Sequence, residues 1–329
     1  MDLLLIVLTI LVSAILLIRF TPSDTYEMHE ARAVGVVQAE EEMPDVAETG
    51  VRAGAPVRFL MYNVENYNVD KDVQRSRYNR RIKPIAEREA VAGVISGVRP
   101  QVVGLVEIGG EAALEDLATR LEARGLHYPY RTTLTRWGED RALGILSMHP
   151  IVQDRSQAEY PLIGQTNRKM LRGILDVTIR TEYKREFRIM GVHLKSRVTD
   201  DPRAAEALRA REARTIAAHV EQAMKTQPHM PILVYGDWND GPNDPALSVV
   251  TRGSSKARSL KRLNPKDNRG ETWTIYFKQG DEYNVFDQIY VNSVLHRRMG
   301  RKSEMGVAGD DAEQQRKASD HRPVWCDMR

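Results

Sequence analysis

Cysteine is almost absent from this sequence, and that scarcity excludes two kinds of protein. The 329-residue chain has one cysteine, Cys326, so it can have neither an intramolecular disulfide framework nor a cysteine-rich zinc site. The chain also has no strong excess of positive or negative charge. The formal net charge is only +3, far from that of a histone-like protein. The sequence also has no convincing internal repeat and no strong array of aromatic residues interleaved with basic ones.

Long hydrophobic runs are limited to one, at Leu3–Ile18. The run is short for a membrane-spanning helix, but it is long enough to span if Asp2, Arg19 and Phe20 lie at the membrane interfaces. A cleaved signal peptide is the alternative. No basic segment precedes the run and no small-x-small cleavage site directly follows it, so we predict an uncleaved anchor over residues 1–20. The orientation of this single-pass protein is poorly specified by Arg19, and we expect the folded domain to be extracytoplasmic.

The composition changes after the anchor and again near Val57. Residues 21–56 are rich in glutamate around Glu40–Glu42 and contain three prolines, which predicts a flexible linker. From Val57 onward the pattern is that of a globular protein, and we predict one domain over residues 57–329.

Periodicity within this domain predicts alternating strands and helices. Strands are predicted at Val57–Tyr62, Gln101–Val106, Leu143–Met148, Arg172–Arg180, Glu186–Val192, Ile232–Tyr235, Glu271–Tyr276 and Val285–Val291. Helices are predicted at Arg81–Val98, Ala112–Arg124 and Pro202–Lys225. Two strand-then-helix halves with antiparallel pairs predict an α/β fold (α+β, four layers), a two-sheet β-sandwich flanked by helices.

The most informative stretch is Pro231–Gly241. An apolar strand is followed at once by Asp237 and Asn239, whose side chains point the same way if the backbone stays extended. An Asx-rich turn explains this stretch when it is taken alone. However, polar residues recur directly beyond other apolar strands, or at the start of one. They are Asn63, Glu107, His193, Asp287, Asp320 and His321. A set of carboxylates, amides and imidazoles without cysteine suggests a Mg²⁺ or Mn²⁺ site with acid and base groups.

The sequence here resembles the endonuclease/exonuclease/phosphatase superfamily, which has the deoxyribonuclease-I-like fold. The matching stretches, in the family's order, are Phe59–Asn66, Val102–Glu107, Gly144–Ser147, Gly191–Ser196, Gly236–Asn239, Phe286–Ile289 and Ser319–Val324. They cover the segment from Val57 to Asp327. One departure is Trp238, which stands where the family commonly has phenylalanine.

The resemblance implies a role for each matching residue. Glu107 is expected to be the principal Mg²⁺ (or Mn²⁺) ligand, with Asn63 beside it and Asp320 completing or orienting the ligand set. Asp237 is expected to orient or deprotonate the attacking water, and Asn239 to bind the scissile phosphate.

Two histidines are expected to face the phosphate oxygens. They are His321, held by Asp287, and His193, for which Asp140 is the candidate carboxylate partner and Glu139 the alternative. In the family, a cation or a tyrosine usually precedes the middle strand; Arg172 fits best by position, with Arg168 close behind.

Three functions remain open at this point. The first is a metal-dependent nuclease acting on DNA or RNA, tethered to a membrane and monomeric in its catalytic domain. The second is a phosphatase or phosphodiesterase acting on lipid headgroups or small phosphate esters. The third is a non-catalytic binding module. Basic stretches at Arg75–Arg88 and Arg252–Arg269 could contact a nucleic-acid backbone or could be solvated surface.

Overall fold

Two six-stranded mixed sheets carry most of the strands that the apolar runs predict. The structure is a computed structural model that describes residues 54–69, 81–136, 141–253, 258–277 and 280–329. Its strands are β1 (Val57–Tyr67), β2 (Val102–Ile108), β3 (Tyr130–Leu134), β4 (Ala142–Ser147), β5 (Ile151–Asp154), β6 (Pro161–Leu162), β7 (Gln165–Lys169), β8 (Leu175–Arg180), β9 (Glu186–His193), β10 (Ile232–Asp237), β11 (Leu260–Arg262), β12 (Ile275–Phe277), β13 (Glu282–Asn284), β14 (Asp287–Asn292), β15 (Met305–Val307) and β16 (Val324–Met328). Its α-helices are α1 (Ile85–Val98), α2 (Glu111–Glu122), α3 (Pro202–Thr226), α4 (Ser248–Arg252), α5 (Ser293–Met299) and α6 (Ala312–Ala318).

Each large sheet is built around one parallel pair of strands. The strand orders are β15-β16-β1-β2-β4-β3 in the first sheet and β11-β14-β10-β9-β8-β5 in the second. β1 and β2 are parallel and are connected through α1, and β9 and β10 are parallel and are connected through α3. The remaining neighbours in both sheets are antiparallel. This arrangement is the predicted two-sheet sandwich.

Both sheets are apolar on both faces, which gives four layers. Between the sheets, Phe59 and Ile145 of the first sheet share a core with Ile189 and Leu233 of the second. Helices α1 and α2 cover the outer face of the first sheet, and α3 covers the outer face of the second. Because β1 buries successive residues on opposite faces, it is a continuous apolar run rather than an alternating one.

Tyr235 spans the interface between the two sheets. Its ring lies 5.2 Å from that of Phe59, and its hydroxyl donates a hydrogen bond to the carbonyl of Gly144 at 3.0 Å. Gly104 and Gly191 leave room for this ring, since a Cβ atom at either position would lie about 2.5 to 2.6 Å from Tyr235 atoms. The two sheets therefore approach closely at the strands that carry the predicted site residues.

β1 is the element that departs most from its prediction. The predicted end of this strand at Tyr62 is wrong, because the strand continues to Tyr67. Glu65 and Asn66 adopt left-handed φ angles of 47° and 49°, and pairing with β2 resumes at Tyr67 and Ile108 after a register shift. The kink accommodates polar residues that would otherwise end a strand.

The predicted membrane anchor at Leu3–Ile18 and nearly all of the predicted linker lie outside the described residues. Within the part of the chain that the structure describes, no helix is long and apolar enough to cross a membrane.

Candidate active site

The carboxyl-terminal parts of four strands and the start of a fifth bring the predicted site residues to one edge of the sandwich. His193 is the last residue of β9, and Asp237 is the last residue of β10, its parallel neighbour; the two are paired in register. Asp287 begins β14 directly opposite Asp237. Asn63 and Glu107 lie near the ends of β1 and β2, the parallel pair of the other sheet. The carboxyl ends of parallel strands meet at one edge, and this is where α/β proteins place their sites.

Asp237 lies at the centre of the cluster. Its Oδ2 accepts a hydrogen bond from Nδ2 of Asn63 at 3.1 Å, and its Oδ1 accepts one from the backbone N–H of Asn239 at 2.9 Å. Nε2 of His193 is 3.6 Å from Oδ2, and Nε2 of His321 is 3.9 Å from it. Burial raises the pKa of Asp237 to about 7, although the nearby His321 opposes the rise. The carboxyl group can therefore take up or give up a proton near neutral pH.

His321 is held by a buried carboxylate. Its Nδ1 is 2.7 Å from Oδ2 of Asp287, and its Nε2 faces Asp237 and Asn63. Burial lowers the pKa of His321, but the carboxylates of Asp287, Asp320 and Asp237 together outweigh this, and the pKa lies well above its usual value. Nε2 is therefore set to donate a hydrogen bond to an anion.

The hydroxyl groups of Thr274 and Ser319 hold the backbone of Asp287 and His321 in place. Thr274 accepts a hydrogen bond from the backbone N–H of Asp287 at 3.1 Å. Ser319 accepts one from the backbone N–H of His321 at 3.0 Å and donates one to the carbonyl of Asn63 at 2.8 Å. The segment that carries His321 is thus tied to β1. Neither hydroxyl was identified from the sequence; Ser319 stood in a matching stretch, whereas Thr274 gave no signal.

Glu107 occupies the other side of the cluster. It has a left-handed φ of 63°, and its Oε2 accepts a hydrogen bond from the backbone N–H of Asn66 at 3.1 Å. Its Oε1 lies 3.7 Å from Nε2 of His193 and 3.6 Å from Nε of Arg141. Arg141 also donates to the side-chain oxygen of Asn66 at 3.2 Å. Sequence reasoning missed Arg141, because it precedes β4 and only the fold brings it to Glu107.

The donor groups at this edge fit a hydrated Mg²⁺ ion. The carboxylates of Glu107 and Asp237 both lie within 4 Å of Nε2 of His193, and Asn63 adds an amide oxygen. Mg²⁺ prefers oxygen ligands, binds through one or two carboxylates and keeps several waters. In the described part of the chain, no group of three or more His, Cys, Asp or Glu side chains is placed to hold an ion.

Asn239 and Arg172 converge on one backbone carbonyl, that of Leu194. Nδ2 of Asn239 donates to it at 3.1 Å, and Nη1 of buried Arg172 donates to it at 3.3 Å. Both residues thus secure the segment after His193, and their direct contact with a phosphate stays a prediction. Arg168, the alternative cation, is exposed.

Asp320 is at the margin of the cluster, with its side chain 52% exposed and its Oδ1 3.9 Å from Nε2 of His321. Its role as a metal ligand stays a prediction. Asp140 and Glu139, the candidate partners of His193, lie outside the described residues.

Some of the described residues in the two basic stretches are buried or lie beside a carboxylate. Arg75, Arg77 and Arg80 lie outside the described residues. Lys83 is buried and donates to the carbonyl of Glu65 at 3.1 Å, so it supports the kink of β1 rather than facing solvent. In the second stretch, Arg258 lies 3.4 Å from Glu221.

A comparison with protein-family models matches residues 63–312 to the endonuclease/exonuclease/phosphatase family. The chain belongs to this family. The name of the family covers nucleases and phosphatases, which are hydrolases of phosphoric esters. A search of curated proteins gives no match.

Solved structures of similar fold cover most of the chain. The human Nocturnin catalytic domain with bound sulfate matches with a TM-score of 0.58 at 14% identity, covering 83% of this chain and 94% of that one. Truncated TDP2 from Caenorhabditis elegans matches with a TM-score of 0.56 at 15% identity, covering 83% and 97%. Beta toxin from Staphylococcus aureus matches with a TM-score of 0.57 at 16% identity, covering 82% and 99%. At these identities the likeness to each structure shows the fold alone.

Proposed function

We propose that this chain is a Mg²⁺-dependent phosphodiester hydrolase and that its substrate is nucleic acid. The observation that carries the proposal is the convergence of Asp237, with a pKa near 7, and His321, with a raised pKa, on one buried cluster that also holds Glu107. A base and a cationic donor of hydrogen bonds, a few ångströms apart, are the groups that an in-line attack on phosphorus requires.

Each protein group has a defined task in this reaction. Asp237 accepts a proton from the attacking water, and the hydrogen bond from Asn63 orients its carboxylate. His321 donates from Nε2 to the phosphate oxygens, where negative charge develops, and Asp287 stabilises its cationic form. Nε2 of His193 lies between the carboxylates of Asp237 and Glu107, 3.6 Å from Oδ2 of Asp237 and 3.7 Å from Oε1 of Glu107. Asn239, fixed by its hydrogen bond to Leu194, borders the space in which a phosphate would bind.

Mg²⁺ or Mn²⁺, when bound by Glu107 and Asn63 with Asp320 at the margin, would neutralise charge on the phosphate oxygens. The described residues supply the oxygen donors that this assignment requires, and Arg141 beside Glu107 adds a positive charge.

Positive charge around the cluster supports a nucleic-acid substrate. Burial lowers the pKa of Lys195, and the neighbouring Arg172, Arg141 and Arg209 lower it further. Arg172 and Arg209 are buried, and Arg209 is paired with Asp240, so Lys195 and Arg141 are the cations of this group that a substrate phosphate would contact. Together with the mildly basic chain, this favours a polyanion over a single phosphate group.

A small phosphate ester or lipid headgroup is the second candidate. Nocturnin carries a bound sulfate, an ion that resembles phosphate in charge and shape, within the same fold. The hydrogen-bond donors around His321 would suit a terminal phosphate.

The nuclease and the phosphatase are distinguished by which substrate the protein hydrolyses. The full-length protein is incubated with Mg²⁺ and either plasmid DNA, an RNA oligonucleotide, or a panel of phosphate monoesters and phospholipids. We expect nicking or strand cleavage that EDTA abolishes and that falls more than about 100-fold in Glu107→Ala and His321→Ala. The exposed residues Glu304 and His127 provide matched control variants, Glu304→Ala and His127→Ala, which should retain activity.

Two other outcomes of this experiment would support a different function. Release of inorganic phosphate from monoesters with nucleic acid intact rejects the nuclease and supports the phosphatase. Binding of Mg²⁺ or nucleic acid without turnover supports a binding module.

We further propose that the segment Leu3–Ile18 anchors the catalytic domain to a membrane and that the domain faces the extracytoplasmic side. The support is the apolar run and its flanking residues. Full-length protein should sediment with membranes and resist a carbonate wash, whereas a variant that lacks residues 2–20 should stay in the supernatant. Cleavage of the domain by protease added to spheroplasts tests the orientation; a domain protected until lysis contradicts it.

A further inference from the structure

Three aromatic rings form a small cluster at the hairpin of β12 and β13. Tyr276 and Tyr283 are directly opposite each other across the hairpin, with ring centroids 4.7 Å apart and a 30° angle between the planes. Trp273 extends the cluster, with its ring 5.1 Å from that of Tyr283. Tyr283 is 59% exposed, whereas Trp273 and Tyr276 are half-buried, so Tyr283 provides most of the aromatic surface that faces solvent.

This aromatic cluster lies beside the catalytic histidine. Ile275, next to Tyr276 in the strand, pairs with His321 in an isolated antiparallel bridge. The carbonyl of Thr274 accepts a hydrogen bond from the backbone N–H of Arg322 at 2.6 Å. The guanidinium of Arg322 lies 4.2 Å from the centroid of Trp273. The backbone that positions His321 is thus continuous with the backbone that carries the rings.

We propose that Trp273, Tyr276 and Tyr283 form a platform on which an unpaired base of the substrate stacks. The enzyme would then prefer single-stranded or locally unpaired nucleic acid to intact duplex. This inference rests on the proposed nuclease function and names its substrate class. Stacking on aromatic faces is the usual way in which proteins bind bases that are free of a partner strand, whereas paired bases do not expose their faces.

The polar groups around the rings favour a nucleobase over a lipid surface as the occupant. Oη of Tyr276 donates to Asp281 at 3.0 Å, and Nε1 of Trp273 donates to Glu271 at 2.8 Å. Insertion into a bilayer would force these carboxylates out of water at considerable cost. Stacking of a base uses only the ring faces and leaves the carboxylates hydrated.

Binding without turnover provides the first test. The full-length protein in EDTA is titrated against a fluorescently labelled single-stranded oligonucleotide, an abasic strand of equal length and a duplex. We expect the strand with bases to bind more tightly than the abasic strand. Tyr283→Ala should weaken binding to the strand with bases about 5- to 100-fold and leave the abasic strand unchanged. Tyr283→Trp should restore the affinity, because it retains an aromatic face.

A control and a cleavage assay complete the design. Tyr183 is a tyrosine in the turn between β8 and β9, at the opposite end of β9 from His193, and Tyr183→Ala should not alter binding. Equal affinity for the strand with bases and the abasic strand, or an equal loss on both in Tyr283→Ala, overturns the platform. If Mg²⁺-dependent cleavage of all strands is absent while base-dependent binding persists, the nuclease proposal fails and the platform stands. Loss of binding to phosphatidylcholine vesicles in Tyr283→Ala, with oligonucleotide binding unchanged, assigns the rings to a lipid surface instead.

Discussion

Nδ1 of His321 lies 2.7 Å from Oδ2 of Asp287, although the two residues are 34 positions apart in the chain. Both side chains are buried, and Thr274 fixes the backbone of Asp287. The carboxylate compensates for the cost of burying a cationic imidazole, and it directs Nε2 toward Asp237. The Asp287 carboxylate is therefore the hydrogen-bonded group that supports a charged His321, and Asp320 and Asp237 add to its effect.

Asp287→Asn should abolish most of the activity without unfolding the protein. The amide has nearly the same shape as the carboxylate but carries no charge, so His321 loses the group that stabilises its cationic form. We expect kcat to fall about 100-fold or more. Steady-state kinetics measure the loss of kcat, and a thermal melt of the same preparation shows whether the variant is still folded. Asp310→Asn, at an exposed position, serves as the control. An unchanged kcat in Asp287→Asn would contradict the role given to this pair.

Asp176 should make the protein sensitive to acid. Burial raises the pKa of Asp176, but hydrogen bonds from Arg188 and His219 outweigh it, and the pKa lies below its usual value. A depressed pKa stabilises the fold above the pKa of the unfolded chain, about 3.9, and this contribution is lost as the pH falls through the folded-state value. Asp176→Asn leaves buried Arg188 without its carboxylate, and we expect a loss of about 3 to 5 kcal/mol at pH 7.

The difference in stability between wild type and Asp176→Asn should narrow below about pH 4, because the wild-type carboxylate then becomes neutral too. Urea denaturation at several pH values measures it. Asp200→Asn, at an exposed site, should show little difference from wild type at any pH. A difference for Asp176→Asn that is as large at pH 2.5 as at pH 7 would argue against this account.

The positions of Glu107, Asp237 and Asp287 could be predicted because each lies at the junction of a polar residue and an apolar strand. Such a junction is visible in a few consecutive residues, and the parallel strands of the fold bring the junctions to one edge of the sheets. The kink at Glu65 and Asn66 was not predictable, since a polar run after an apolar strand has the composition of a loop. Only pairing of Tyr67 with Ile108 keeps these residues in the strand.

Strand pairing also explains why the aromatic cluster was not predicted from the sequence. Trp273, Tyr276 and Tyr283 are separated by other residue types, and nothing in their spacing indicates that the rings touch. The β12–β13 hairpin register places Tyr276 opposite Tyr283, and this register is a property of the folded chain. Arg141 was missed for the same reason, because its partner Glu107 lies on another strand.

Gly104→Ala should destabilise the protein, whereas Gly97→Ala should not. A Cβ at Gly104 would lie about 2.5 Å from the ring of Tyr235, between two sheets that have no space to move apart. We expect a loss of about 1 to 3 kcal/mol from overpacking. Gly97 lies in α1 with nothing within 4 Å of the new methyl group, so alanine should gain about 0.5 to 1 kcal/mol there. Thermal or urea denaturation of both variants measures the contrast, and similar losses at the two sites would contradict it.

The left-handed backbone of Asn66 should control the affinity for Mg²⁺ through Glu107. Its N–H donates to the Glu107 carboxylate, and glycine tolerates this φ better than alanine, whose penalty is about 1 kcal/mol. Both substitutions remove the amide that contacts Arg141, so a comparison of Asn66→Gly with Asn66→Ala isolates the backbone effect. Calorimetric titration should show Mg²⁺ binding about 5-fold weaker in Asn66→Ala than in Asn66→Gly. Lys184, left-handed at a remote turn, gives the control Lys184→Ala, which should bind Mg²⁺ as wild type does. Equal affinity in the two Asn66 variants would show that the conformation of β1 does not position Glu107.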